Sequence, residues 1–137
     1  MLTLDELRAA AADGSVDTVV VAFTDMQGRL LGKRVHAEHF LADSAEHGVE
    51  GCNYLLALEM EMDPVPGYAL ASWERGYGDF ALRPDLATLR RIPWLEATAL
   101  VLCDVTWHDE PIHSCDGFAM NVIEQPFRCA ISFAPFL

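Results

Sequence analysis

Between Trp73 and Trp94 the chain reads Trp-Glu-Arg-Gly-Tyr-Gly-Asp-Phe-Ala-Leu-Arg-Pro-Asp-Leu-Ala-Thr-Leu-Arg-Arg-Ile-Pro-Trp, and this stretch restricts what the rest can fold into. Gly76 and Gly78 free the backbone to turn just before Asp79. Pro84 fixes φ, forbids a continuing helix and removes a ladder donor, so the stretch predicts a very short strand with Asp79 and Asp85 at its two ends. A turn-rich segment of this kind costs conformational entropy to order, which points to a function for it. Trp73 and Trp94, flanking it, are expected to anchor it by apolar burial.

The elements on either side predict an α+β domain. Thr3-Leu4-Asp5-Glu6 is a capping box, so a helix is expected as far as Ala12, ending at Gly14. Val16 to Thr24 is β-branched and apolar enough for a buried strand. Asp25 to Gly28 supplies a turn, and Arg29 to Val35 returns as the hairpin partner. Ala37 to His47 has helical spacing with Gly48 as its C-cap. Gly51 to Leu58 reads as a third strand and Thr98 to Val105 as the clearest strand of all. Between them Glu59 to Gly78 is longer than an ordinary connection, which favours a functional loop. A hairpin, a crossing helix and further strands suggest a β-grasp-like mixed sheet. From about Thr106 the pattern changes: Phe118, Phe127, Phe133 and Phe136 follow no clean period, and Pro111, Pro126 and Pro135 interrupt any long element. The expected division is a domain over residues 1–107 and an irregular, poorly ordered tail over 108–137.

Twenty-one acidic against nine basic residues give a net charge of −12, which disfavours nucleic acid and anionic membrane surfaces as partners. Cys52, Cys103, Cys115 and Cys129 form no C-x-x-C pair; Cys52 and Cys103 fall inside strand-like runs and read as small buried hydrophobes in a reducing compartment. The N-terminus carries Asp5, Glu6 and Arg8 and no signal-type apolar run, so a cytoplasmic location is expected. His36, His39 and His47 lack a His-Glu-x-x-His arrangement, and no metal site is expected there. His108 and His113, with Asp109, Glu110, Cys115 and Asp116, fit an acidic connector better than a zinc site. Lys33, Arg34 and Arg29 form a basic cluster at the hairpin, read as solvated charges that guard an edge strand.

Three runs taken together carry a family likeness. Val21-Ala22-Phe23-Thr24-Asp25-Met26-Gln27-Gly28-Arg29, then Gly32-Lys33-Arg34-Val35, then Gly78 to Leu89 with Pro93-Trp94 resemble, in order, the N-terminal β-grasp domain of the glutamine synthetase family, over roughly the first three-quarters of the chain. The resemblance implies part of an ATP-dependent ligase that activates the γ-carboxylate of glutamate as an acyl phosphate and passes it to ammonia, assisted by magnesium or manganese. It also implies a homo-oligomeric ring of glutamine synthetase-like subunits, in which this domain's loop closes a neighbour's active site. One loop aspartate there helps bind and deprotonate ammonium, since a carboxylate both attracts the cation and accepts its proton.

The family's second N-terminal aspartate falls on Asp79. The Phe-Asp-Gly-Ser-Ser pattern of the ammonia-using enzymes is absent; the loop reads Glu59-Met60-Glu61-Met62-Asp63-Pro64-Val65-Pro66-Gly67-Tyr68, and Asp63, with Glu61 behind it, takes the place of the ammonium-site residue. This departure resembles the branches that join glutamate to larger amines. The metal-ligand, ATP-binding and glutamate-binding patterns of the catalytic domain are not in the tail, so no cofactor is expected in this chain, and it is expected not to turn over alone, as a product truncated or run out of frame after about Trp107. The competing roles are turn capping for Asp79 and Asp85 and a solvated strand edge for Glu59, Glu61 and Asp63. At the level of the whole chain, the alternative to a ligase segment is a non-catalytic β-grasp module that docks to full-length ligase subunits or another protein.

Overall fold

A computed structural model of the chain describes residues 1–25, 29–64, 76 and 78–108, and the backbone of 110–111. Two helices lie against one mixed sheet, in the order α1 (Leu4–Ala12), β1 (Thr18–Thr24), β2 (Leu30–His36), α2 (three consecutive helical segments, Ala37–His39, Phe40–Ser44 and Ala45–His47), β3 (Val49–Cys52), β4 (Asp79–Arg91), β5 (Thr98–Trp107) and the two-residue β6 (Glu110–Pro111). Across the sheet the order is β2-β1-β5-β4-β3, with β6 on the end of β5. β1 runs parallel to β5, and the other pairings are antiparallel. The α+β class, the N-terminal helix and the single crossing helix are as the sequence suggests; of the tail, His108 and the backbone of Glu110–Pro111, paired to β5 as β6, are described, and residues 109 and 112–137 lie outside the described residues.

The capping box forms: the Glu6 amide donates to Thr3 Oγ1 at 3.2 Å and the Thr3 amide to the Glu6 carboxylate at 2.7 Å. Leu7 and Ala10 turn inward from α1. On β1 the alternation is strict, with Val19, Val21 and Phe23 meeting Val101, Cys103 and Val105 of β5 and Phe80 and Leu82 of β4 under the helices. Phe23 and Phe80 meet edge to face, with centroids 5.4 Å apart. The opposite face holds a smaller cluster of Ala22, Leu100 and Ile92.

α2 crosses from the β2 edge to the β3 edge, anchored at its start by the Ala37 amide on the Asp17 carbonyl (2.7 Å). Its middle, Phe40–Ser44, is wound as a π-helix, which keeps Phe40 and Ser44 buried. It ends at Gly48, φ +83°, where an added Cβ would stand 2.6 Å from the Leu82 carbonyl oxygen. Only glycine satisfies both demands.

Three expectations are corrected. The strand holding Asp79 and Asp85 is thirteen residues long, not very short. Pro84 sits inside it opposite Cys103, tolerated because pairing to β3 stops at Leu82 and, among the described residues, β4 has only β5 as a neighbour there. The ladder shifts register after it, between Asp85 and Arg90. The run expected as a third strand from Gly51 to Leu58 is strand only to Cys52; Asn53–Ala57 is a 3₁₀ turn burying Leu56 and Ala57. Trp94 does not anchor the core: it lies in the turn between β4 and β5 and is 62% exposed. Trp73 lies outside the described residues.

Candidate functional site

The excursion between β3 and β4 leaves and returns through a hydrogen-bonded neck. The Asn53 amide donates to the Gly78 carbonyl (2.9 Å), and the Gly78 amide donates back to Asn53 Oδ1 (3.2 Å). Asn53 is 2% exposed, so its amide group is committed to this closure. Gly76 turns the returning chain with φ +81°, as its glycine pair suggests.

Beyond the neck the chain makes a tight turn. Leu58 bridges to Pro64, the Glu59 amide donates to the Asp63 carbonyl (3.0 Å), and the Met62 amide donates to the Glu59 carbonyl (3.1 Å). Met62 takes up a left-handed φ of 69°, sparsely populated for a non-glycine residue. Leu58 is buried, whereas Glu59 to Pro64 are all exposed. The result is an exposed acidic turn, the tip, that carries Glu59, Glu61 and Asp63 among two exposed methionines, Met60 and Met62. It is a turn, not the strand edge weighed against a functional role. Residues 65–75 and 77 of the loop lie outside the described residues.

Asp79 stands at the start of β4, opposite Cys52, and is exposed. It lines an open cleft of about 610 Å³ with Lys33, His39, His47, Arg83 and His108. No contact joins Asp63 and Asp79 among the described residues; one is at the tip and the other beside the neck. Both carboxylates are open to solvent, the condition for attracting a cation from outside. Asp85, by contrast, takes the capping role: its Oδ1 accepts from the Ala87 amide at 3.0 Å and its carbonyl accepts from Thr88 Oγ1 at 2.7 Å.

The feature missed in the sequence is Arg29. Its Nε donates to Asp25 Oδ2 at 2.6 Å, while Nη1 and Nη2 donate to the carbonyls of Met60 (2.8 Å) and Glu59 (2.9 Å). It therefore ties the hairpin to the acidic tip and is not one of three equivalent solvated charges; Lys33 and Arg34 are exposed. Its one local signal was Asp25, placed four residues earlier across the turn.

Cys103 is structural. Burial pushes its thiol up to about 12, so it stays protonated and unreactive. Among the described residues no group of three or more His, Cys, Asp or Glu is placed to hold a metal ion, and no helix is long and apolar enough to cross a membrane.

No family model matches the chain. It is 59% identical over 108 residues to the γ-glutamylethanolamide synthetase GlnA4 of Streptomyces coelicolor, covering 79% of this chain and 23% of that protein. It is 41% identical over 91 residues to a glutamate–isopropylamine ligase of a Pseudomonas species, covering 66% of this chain and 20% of the ligase. Human lengsin matches at 31% over 117 residues, 80% of this chain and 21% of lengsin. A solved structure of GmaS in complex with ADP superposes with a TM-score of 0.56 at 26% identity, over 77% of this chain and 21% of that one. The chain thus spans about a fifth to a quarter of the length of these relatives.

Proposed function

We propose that this chain, a member of the glutamine synthetase family by its sequence kinship to glutamate–amine ligases, is the family's N-terminal β-grasp domain and acts as a lid over an amine site on a neighbouring subunit. The observation that carries the reading is the solvent-exposed tip 59–63, where Glu59, Glu61 and Asp63 stand on a turn whose backbone is hydrogen-bonded to Arg29 of the hairpin. Asp63 is the carboxylate that attracts the ammonium form of the amine and takes up its proton, freeing the nitrogen lone pair for attack on the activated glutamate. Asp79, in its cleft at the base of the excursion, supports the same edge.

The amine is larger than ammonia. Kinship extends at 59% identity to a synthetase of γ-glutamylethanolamide, and the tip offers two methionines beside its carboxylates, a surface suited to an alkyl chain next to a cationic nitrogen. Among the described residues no group of three or more His, Cys, Asp or Glu is placed to hold magnesium or manganese; the metal and ATP, which supply the activation of glutamate, would be held by the remainder of a full-length ligase. The isolated chain accordingly releases no ADP from ATP with glutamate and ammonia, or with glutamate and a polyamine. The active form is a homo-oligomer in which one subunit's tip meets the next subunit's site, and its place is the cytoplasm.

The test is a chimaera in which this chain replaces the matched 108-residue segment of the Streptomyces synthetase. In it, Asp63→Asn raises KM for the amine by about tenfold or more, the loss of one charge-assisted contact, with KM for ATP unchanged. Asp79→Asn has a smaller effect of the same kind. A chimaera that turns over normally with Asp63→Asn, at unchanged amine KM, defeats the proposal.

A further inference from the structure

We infer that Arg29 is a positioning residue: it sets where the acidic tip stands by clamping the tip's backbone to the β1–β2 hairpin. Only the catalytic consequence of this rests on the lid reading above; the clamp itself is a property of this chain.

The guanidinium is aimed before it reaches the tip. The Asp25 carboxylate is 4% exposed and holds Arg29 twice, through the backbone amide at 2.8 Å and through Nε at 2.6 Å. The Asp25 amide in turn donates to the Arg29 carbonyl at 2.9 Å, closing the hairpin turn on itself. Of the guanidinium nitrogens, this leaves Nη1 and Nη2, and each takes one carbonyl of the tip, thirty-one and thirty residues away in sequence. A planar fork with two fixed donors fixes orientation as well as distance, which a lysine ammonium at the same place would not.

The tip depends on such an outside anchor. All six residues from Glu59 to Pro64 are exposed, so no apolar burial holds them, and Met62 sits in an unfavourable left-handed conformation. Three carboxylates on one short turn also repel one another, and Arg29 brings a positive charge against that turn's backbone. The Glu59 carbonyl accepts both from Arg29 and from the Met62 amide, so the clamp and the turn's internal bond share an atom.

Amide hydrogen exchange on the intact 137-residue chain tests this. Arg29→Gln speeds exchange at the Glu59 and Met62 amides by about tenfold or more, the equivalent of one lost charge-assisted hydrogen bond, while strand amides such as those of Val19 and Val101 change by less than about twofold. Arg29→Lys keeps the charge and loses the fork, so it does not restore protection; it is also the deciding variant should the glutamine form fail to fold. Protection at Glu59 and Met62 unchanged in Arg29→Gln, or fully restored by lysine, overturns the inference. In the chimaera, Arg29→Lys raises KM for the amine with kcat held. If exchange responds as stated but Asp63→Asn leaves the amine KM untouched, the clamp stands and the lid reading fails; the reverse pattern removes the clamp alone.

Discussion

Asp104 illustrates how one side chain couples to pH on the face of the sheet turned away from the helices. It lies two residues along β5 from Leu102, the cross-strand partner of Asp85. Although its side chain reaches solvent, partial burial raises its carboxyl above the ordinary 3.8, and the nearby Asp85 charge raises it further. Ionising Asp104 is therefore harder in the folded chain than in the unfolded one. Below 3.8 both states hold the proton and the site is neutral in its effect; as pH climbs through the raised folded value the native state loses stability, and above it the loss is complete. Asp104→Asn removes that loss. Its melting temperature lies above that of the wild type at pH 7, and the gap closes as the pH falls below 3.8. A gap that persists in acid would mean that the gain comes from packing or backbone propensity instead of charge.

At the scale of elements, α1 is where sequence and structure agree most closely, because everything that starts it is local. Thr3 and Glu6 are three residues apart and need no tertiary partner to find each other. Thr3→Ala costs about 1 kcal/mol in denaturant unfolding, the ordinary cost of a lost N-cap, and a change below a few tenths would show that the helix is held by Leu7 and Ala10 alone. The β1–β2 hairpin, α2 with Gly48, and β5 were legible for the same reason: each shows a pattern within one window. The misreadings arose where a neighbour decides. Pro84 looks like a strand end, but its tolerance depends on β3 stopping at Leu82, which no local pattern contains. Asn53 to Ala57 is apolar without a period, and such a run fits a buried turn as well as a strand. Trp94 looks like an anchor by its size, yet a tight β4–β5 connection leaves it outside. For the site, the acidic composition of the tip could be read directly. Its support could not, since Arg29 and the carbonyls it holds are thirty residues apart.

For the molecule as a whole, the dominant electrostatic fact is the excess of acid, and it sets the sign of a salt effect. With 21 acidic and 9 basic residues, the average charged group in the compact state faces more repulsion than attraction. Added salt weakens both. Of the ion pairs, Arg8–Asp5 is open to solvent on both sides, and pairs of that kind are worth at most about 1 kcal/mol. Asp25–Arg29, largely withdrawn from solvent, is screened much less. What salt removes is therefore mainly the long-range self-repulsion, which at about 10 mM reaches roughly 30 Å and so spans a chain of this size, but at about 150 mM reaches only about 8 Å. The melting temperature accordingly rises between those two concentrations of sodium chloride. A fall would mean that a few short pairs outweigh the collective field.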